Sequence, residues 1–66
     1  MFVITYHYQS ETETRTSTFS SVEDFSKQQR AEVPALDDDL IVDEVKLDGK
    51  VVAFNGTILD LYNKYN

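Results

Sequence analysis

The stretch LIVDEVKLDGKVVAFNGTILDLYNKY, residues 40–65, decides the fold. Apolar and β-branched residues flank Asp48 and Gly49, a pair that favours a two-residue type I′ turn because both central residues of that turn need positive φ. With this turn, Val45 lies opposite Val52 on the returning strand. The stretch therefore begins with a predicted β-hairpin over residues 40–54.

Strand alternation divides the side chains of this hairpin between two faces. The bulkier face is expected to point to the core, with Asp43 opposite Phe54. Its apolar members are Ile41, Val45, Leu47, Val52 and Phe54. The more polar face, expected to meet water, holds Val42, Glu44, Lys46, Val51 and Ala53.

A short amphipathic helix is predicted directly after the hairpin. Thr57, followed three residues later by Asp60, resembles a capping box. One helical face is formed by Ile58, Leu61, Tyr62 and Tyr65. A helix this short is unstable alone in water, so its apolar face must pack on the sheet.

The first half of the chain predicts a second hairpin and helix. Residues 2–8 alternate, with Phe2 and Ile4 on the side of the core. Residues 12–19 are rich in threonine and predict a strand at a sheet edge. A helix is expected to follow from Ser20 or Ser21, with only Val22 and Phe25 as clear core residues. The order of all the predicted elements is β-β-α-β-β-α, which predicts an α+β fold in one domain over residues 1–66. We expect a four-stranded antiparallel sheet with both short helices on one face.

Composition limits the classes of function. Twelve acidic and six basic residues give a net charge of −6, which argues against binding to nucleic acid or to anionic membrane surfaces. No apolar segment is long enough to span a bilayer, and the N-terminal residues do not resemble a signal peptide. The chain has no cysteine. We expect a cytoplasmic protein without a cofactor.

Candidate sites are sparse, and none has the pattern of an active site. His7 is the single histidine, and no partner carboxylate can be assigned to it from the sequence. Nucleophile motifs, phosphate-binding loops and zinc-ligand patterns are absent. We expect no catalytic, cofactor-binding or metal-binding residues. The densest charge cluster is interpreted as a solvated acidic surface and contains Asp37, Asp38, Asp39, Asp43 and Glu44.

Several motifs resemble a family of short uncharacterised proteins from Gram-positive lactic-acid bacteria, classed as a domain of unknown function. The resemblance lies in ITY at residues 4–6, FSSVEDF at residues 19–25, Asp48 with Gly49, and GTILDLY at residues 56–62. It implies a compact cytosolic protein and transfers no activity.

The sequence therefore favours a non-enzymatic protein-interaction module, with a homodimer as one form. Its expected interaction face is the more apolar part of the water-exposed side of the sheet, formed by Val3, Val42, Val51 and Ala53. The alternative is an acidic inhibitor or nucleic-acid mimic that binds a basic partner protein through the acidic cluster.

Overall fold

The computed structural model describes residues 1–66 and contains one antiparallel sheet with two helices. The strands, β1 to β5, and the helices, α1 and α2, follow in the chain as β1 Phe2–His7, β2 Arg15–Phe19, α1 Val22–Gln29, β3 Ile41–Leu47, β4 Lys50–Val52, β5 Gly56–Thr57 and α2 Ile58–Lys64. The predicted α+β class and the two helices are confirmed. The predicted count of four strands is wrong, because the sheet has five.

The first strand lies inside the sheet, not at its edge. The order is β2-β1-β3-β4, and the short β5 pairs with the other end of β3. Phe2 on β1 contacts Phe25 of α1 and Tyr65 at the end of α2, with ring centroids 5.4 and 5.7 Å apart. Both helices thus cover the same face of the sheet, as predicted. The buried core consists of Phe2, Ile4, Tyr6, Phe19, Phe25, Leu36, Leu40, Val42, Val45, Ile58 and Leu61.

The predicted type I′ turn is confirmed. Asp48 and Gly49 have φ values of 51° and 82°, and Leu47 pairs with Lys50 across the turn. The N-terminal ammonium lies 2.6 Å from the Asp48 carboxylate, and the Asp48 N–H donates to the Met1 carbonyl at 2.9 Å. The turn is therefore held at the N-terminal end of β1.

Gly49→Val should destabilise the protein by more than about 1 kcal/mol, because a β-branched residue resists positive φ. A β-carbon at Gly49 would meet nothing within 4 Å, so the cost comes from the backbone alone. Urea denaturation of the wild type and the variant measures it. Lys50→Val, which introduces the same side chain at the neighbouring exposed strand position, is the control. Equal midpoints for Gly49→Val and the wild type would contradict the prediction.

A β-bulge in β3 changes the predicted faces of that strand. Thr5 pairs with Glu44 and Tyr6 with Val42, so Asp43 is an extra residue without a partner on β1. The extra residue shifts the alternation, and Val42 joins Val45 in the core while Ile41 moves to the opposite side. The assignment of Val42 to the water-exposed face, and of Ile41 and Asp43 to the core face, is therefore wrong.

The returning strand of the hairpin is shorter than predicted. β4 ends at Val52, so the expected pairing of Asp43 with Phe54 does not form. Residues 53–55 leave the sheet, and the chain then rejoins β3 through Gly56 and Thr57. Phe54 is half-buried and still packs against the core. The segment between the hairpin and α2 thus contains a short additional strand that was not predicted.

Side chains cap both helices. Ser21 is the N-cap of α1, and its hydroxyl accepts from the Asp24 N–H at 3.0 Å. A hydrogen bond from the Gln28 side chain, then one from the Ser20 backbone, holds the pKa of Asp24 below its ordinary value. At α2, Thr57 and Asp60 form the predicted capping box.

Candidate functional site

The side of the sheet opposite the helices is open. The molecule measures only 17 Å along its shortest axis, which corresponds to one sheet layer and one helix layer. We call the open side the outer face. Strand register assigns to it the side chains of Val3, Thr5, His7, Thr16, Thr18, Ile41, Glu44, Lys46 and Val51, and the bulged Asp43 joins them through its contact with His7.

Two rows of paired residues cross the outer face. The first row runs from Thr18 through Val3 and Lys46 to Val51. Val3 is half-buried in the middle of the sheet, whereas Val51 on β4 is 65% exposed. This row therefore combines aliphatic and β-branched side chains with one cation.

The second row carries threonine hydroxyls and an acidic residue. Thr16, Thr5 and Glu44 lie side by side on β2, β1 and β3. The hydroxyls of Thr5 and Thr16 are 3.5 Å apart, and the Glu44 carboxylate lies 3.9 Å from the Lys46 ammonium. The Glu44 carboxylate in the second row and the Lys46 ammonium in the first row are thus neighbours on β3.

The bulge brings Asp43 to His7, a pairing that the sequence analysis did not find. The His7 Nδ1 atom lies 2.8 and 3.0 Å from the two Asp43 carboxylate oxygens, and both side chains are partly exposed. When Nδ1 carries the hydrogen, it donates to Asp43 and leaves Nε2 as an acceptor. The carboxylate therefore fixes the orientation of the imidazole ring at the end of the outer face.

The structure changes the membership of the predicted interaction face. Val3 and Val51 lie on the outer face as expected, but Val42 is only 5% exposed and belongs to the core. Ala53 is exposed but lies beyond the end of β4. The structure therefore retains Val3 and Val51 on this face, with Lys46 between them.

The predicted acidic cluster is divided between two places. Asp37, Asp38 and Asp39 precede β3, where the Asp38 carbonyl accepts from the Leu59 N–H at 3.0 Å. The Asp39 carbonyl accepts from the Gln9 side chain at 2.9 Å. Asp43 and Glu44 lie instead on the outer face, and no group of three acidic or histidine side chains is placed to hold a metal ion. Binding of a basic partner by these carboxylates stays a prediction.

Buried polar residues of α1 were missed by the sequence analysis, which expected only Val22 and Phe25 in the core. Gln29 is 9% exposed, and its side chain makes two hydrogen bonds with the backbone of Leu36. Its Nε2 donates to the carbonyl at 3.0 Å, and its Oε1 accepts from the N–H at 2.9 Å. Ser26 is also buried and accepts from Asn66 at 3.0 Å. The burial of Gln29 could have been inferred from its position, because it lies one helical turn after Phe25 and so on the same face of the helix.

The structure contains no pocket. Neither of its helices has the length and apolar character required to cross a bilayer. The cytoplasmic location stays a prediction.

A family model described as "Domain of unknown function (DUF4649)" matches residues 2–65. This chain is also similar to the crystal structure of a conserved domain protein from Streptococcus pneumoniae TIGR4, with a TM-score of 0.83 and 32% sequence identity. The match covers 98% of this chain and 88% of the Streptococcus chain. No curated protein matches. The predicted resemblance to a family of unknown function is confirmed; its narrower assignment to lactic-acid bacteria stays a prediction.

Proposed function

The chain belongs to the family DUF4649, whose function is unknown, and from the geometry of the outer face we propose that it is a non-enzymatic protein-interaction module. Its partner in this proposal is a second copy of the chain, bound through the outer face. The observation that carries the proposal is an open sheet side with two valines in one row, the half-buried Val3 and the exposed Val51, on either side of Lys46. A flat open side suits a macromolecular surface better than a small substrate, which binds in a concave site.

The size of the outer face supports a weak, reversible dimer. The four neighbouring strands β2, β1, β3 and β4 have 5, 6, 7 and 3 residues and cover roughly 330 Å² in projection, from a strand spacing near 4.8 Å and a rise near 3.3 Å per residue. Two such surfaces total less than the roughly 1,200–2,000 Å² of stable specific interfaces, as is typical of weak and transient contacts. Burial of Val3, Val51 and the threonine methyl groups would supply the apolar contribution.

The charge distribution supports a second copy as the occupant. The chain carries a net charge of −6, yet the charged residues of the outer face are only Asp43, Glu44 and Lys46. Most of the repulsion between two copies therefore arises away from this surface. A two-fold axis between Glu44 and Lys46 would place each ammonium near the carboxylate of the other copy, which makes the face self-complementary.

Val51→Glu should dissociate the dimer while leaving the fold intact, because it places a charge in the apolar part of the contact. Sedimentation equilibrium across a concentration series measures the dimer dissociation constant, which should rise at least about tenfold, equivalent to about 1.4 kcal/mol. The matched control is Leu59→Glu, which adds the same charge at an exposed apolar residue of α2 and should leave the constant unchanged.

Two results would contradict this assignment. A monomer mass at all concentrations up to hundreds of micromolar would exclude the dimer. A dimer that responds to Leu59→Glu but not to Val51→Glu would use a helix instead of the outer face.

A further inference from the structure

We propose that the free edge of β2 binds an extended segment of a partner protein, which adds to the sheet as a further strand and carries basic residues at its ends. This site differs from the outer face, since it uses backbone groups at the side of the sheet. It is therefore independent of the proposed dimer.

The edge of β2 has unused backbone hydrogen-bonding groups. Arg15–Phe19 pairs with β1 alone, and no backbone hydrogen bond joins these residues to a loop or a helix. In an antiparallel edge strand, alternate residues direct their N–H and C=O groups away from the sheet. These groups are the ones that an added strand would pair with.

Edge strands are commonly protected against such pairing by short length, charge, proline or a bulge. The opposite edge has this protection, because β4 has three residues and begins with Lys50, and β5 has two. β2 has five residues, contains no proline, and pairs with β1 without a register shift. Its central residues, Thr16, Ser17 and Thr18, are uncharged. β2 is therefore the less protected edge.

The one charge on β2 is already engaged. The Arg15 guanidinium lies 3.3 Å from the Glu11 carboxylate and 4.9 Å from the centre of the Tyr8 ring. These contacts direct it to groups of its own chain. The centre of the strand is left for uncharged, β-branched partners, which pair well with threonine.

Acidic residues at both ends of β2 define the chemistry of the partner. Glu13 precedes the strand, beside the Glu11 that pairs with Arg15, and Glu23 and Asp24 follow it in the first turn of α1. A second copy in antiparallel pairing would bring the acidic start of one β2 to the acidic end of the other. An extended segment with basic ends has the complementary charge, so it is favoured over self-pairing.

The test uses the peptide KTVTVTK, titrated into the full chain at low salt and followed by amide NMR shifts. Shifts are expected at residues 15–19 and their neighbours on β1, and the acidic-ended peptide ETVTVTE should bind at least tenfold more weakly.

Two further peptides, both derived from KTVTVTK, carry N-methyl groups on opposite alternating sets of residues. The dissociation constant of one N-methylated peptide should be at least tenfold higher than that of KTVTVTK, and that of the other should lie within about twofold of it. The reason is that an added strand pairs with the edge through only one alternating set of its amides. The Val51→Glu variant should give the same results, which separates this site from the outer face.

Several outcomes overturn the proposal: no binding of KTVTVTK up to millimolar concentration, shifts away from β2, equal binding of the acidic-ended peptide, or equal binding of the two N-methylated isomers. Concentration-dependent shifts at residues 15–19 without any peptide would identify a second copy as the occupant and would also overturn it.

Discussion

Phe25→Ala should leave the protein largely unfolded at 25 °C. The Phe25 side chain is 0% exposed, and its ring lies 5.4 Å from that of Phe2 and 5.3 Å from that of Phe19. Truncating a buried phenylalanine costs about 3–5 kcal/mol. A domain of this size has only about 3–5 kcal/mol of net stability, so the loss removes nearly all of it. Circular dichroism during urea denaturation measures the result.

The matched control for Phe25→Ala is Leu59→Ala, a truncation of a helical side chain that is 44% exposed. It should change the free energy of unfolding by about 0.5 kcal/mol or less, as is usual for surface substitutions. If Phe25→Ala kept a cooperative transition within about 1 kcal/mol of the wild type, the aromatic contacts would not be the centre of the core.

Gln29→Met should cost about 2 kcal/mol or more, with little change in side-chain volume. The substitution leaves the N–H and C=O of Leu36 without their partner, and each unpaired buried polar group costs about 1–3 kcal/mol. Denaturant unfolding measures the total change in the free energy of unfolding. Hydrogen exchange at the Leu36 amide gives the local effect, and its protection should fall.

Gln28→Met is the control for this substitution, because it makes the same change one position earlier. Gln28 is exposed, and its side-chain hydrogen bond with Asp24 at 3.1 Å is also exposed. Its loss should cost well under 1 kcal/mol. Similar losses for the two variants would mean that helix propensity, not the contact with Leu36, determines the result.

Local signals in the sequence predicted the features that depend on neighbouring residues. The turn at Asp48 and Gly49 follows from a backbone requirement for positive φ, and the cap at Thr57 follows from hydrogen-bonding groups three residues apart. Such features form from a few residues and change little with the surroundings.

The features that were missed depend on residues distant in the chain. Val42 and Val45 are three positions apart, with two acidic residues between them, and a regular strand cannot bury both because its side chains alternate. The bulge at Asp43 allows both valines to be buried, and its position depends on the pairing of β3 with β1, in which Thr5 pairs with Glu44 and Tyr6 with Val42. The contact between His7 and Asp43 depends on both the bulge and the pairing of β1 with β3, so no local pattern indicates it.

The interior position of β1 has a consequence for synthesis on the ribosome. β1 can pair with β2 early, but its other neighbour, β3, becomes available only when Val45 has been made and can pair with Ile4, 41 positions earlier in the chain. The hairpin can exist only once Phe19 has been made, and Val45 follows 26 positions later, so at about 5–20 residues per second the hairpin waits roughly 1–5 seconds with one side of β1 unpaired. Phe2 and Ile4 also lack α2 as a cover during that interval. The newly made N-terminal hairpin is therefore the segment that chaperones have most reason to protect.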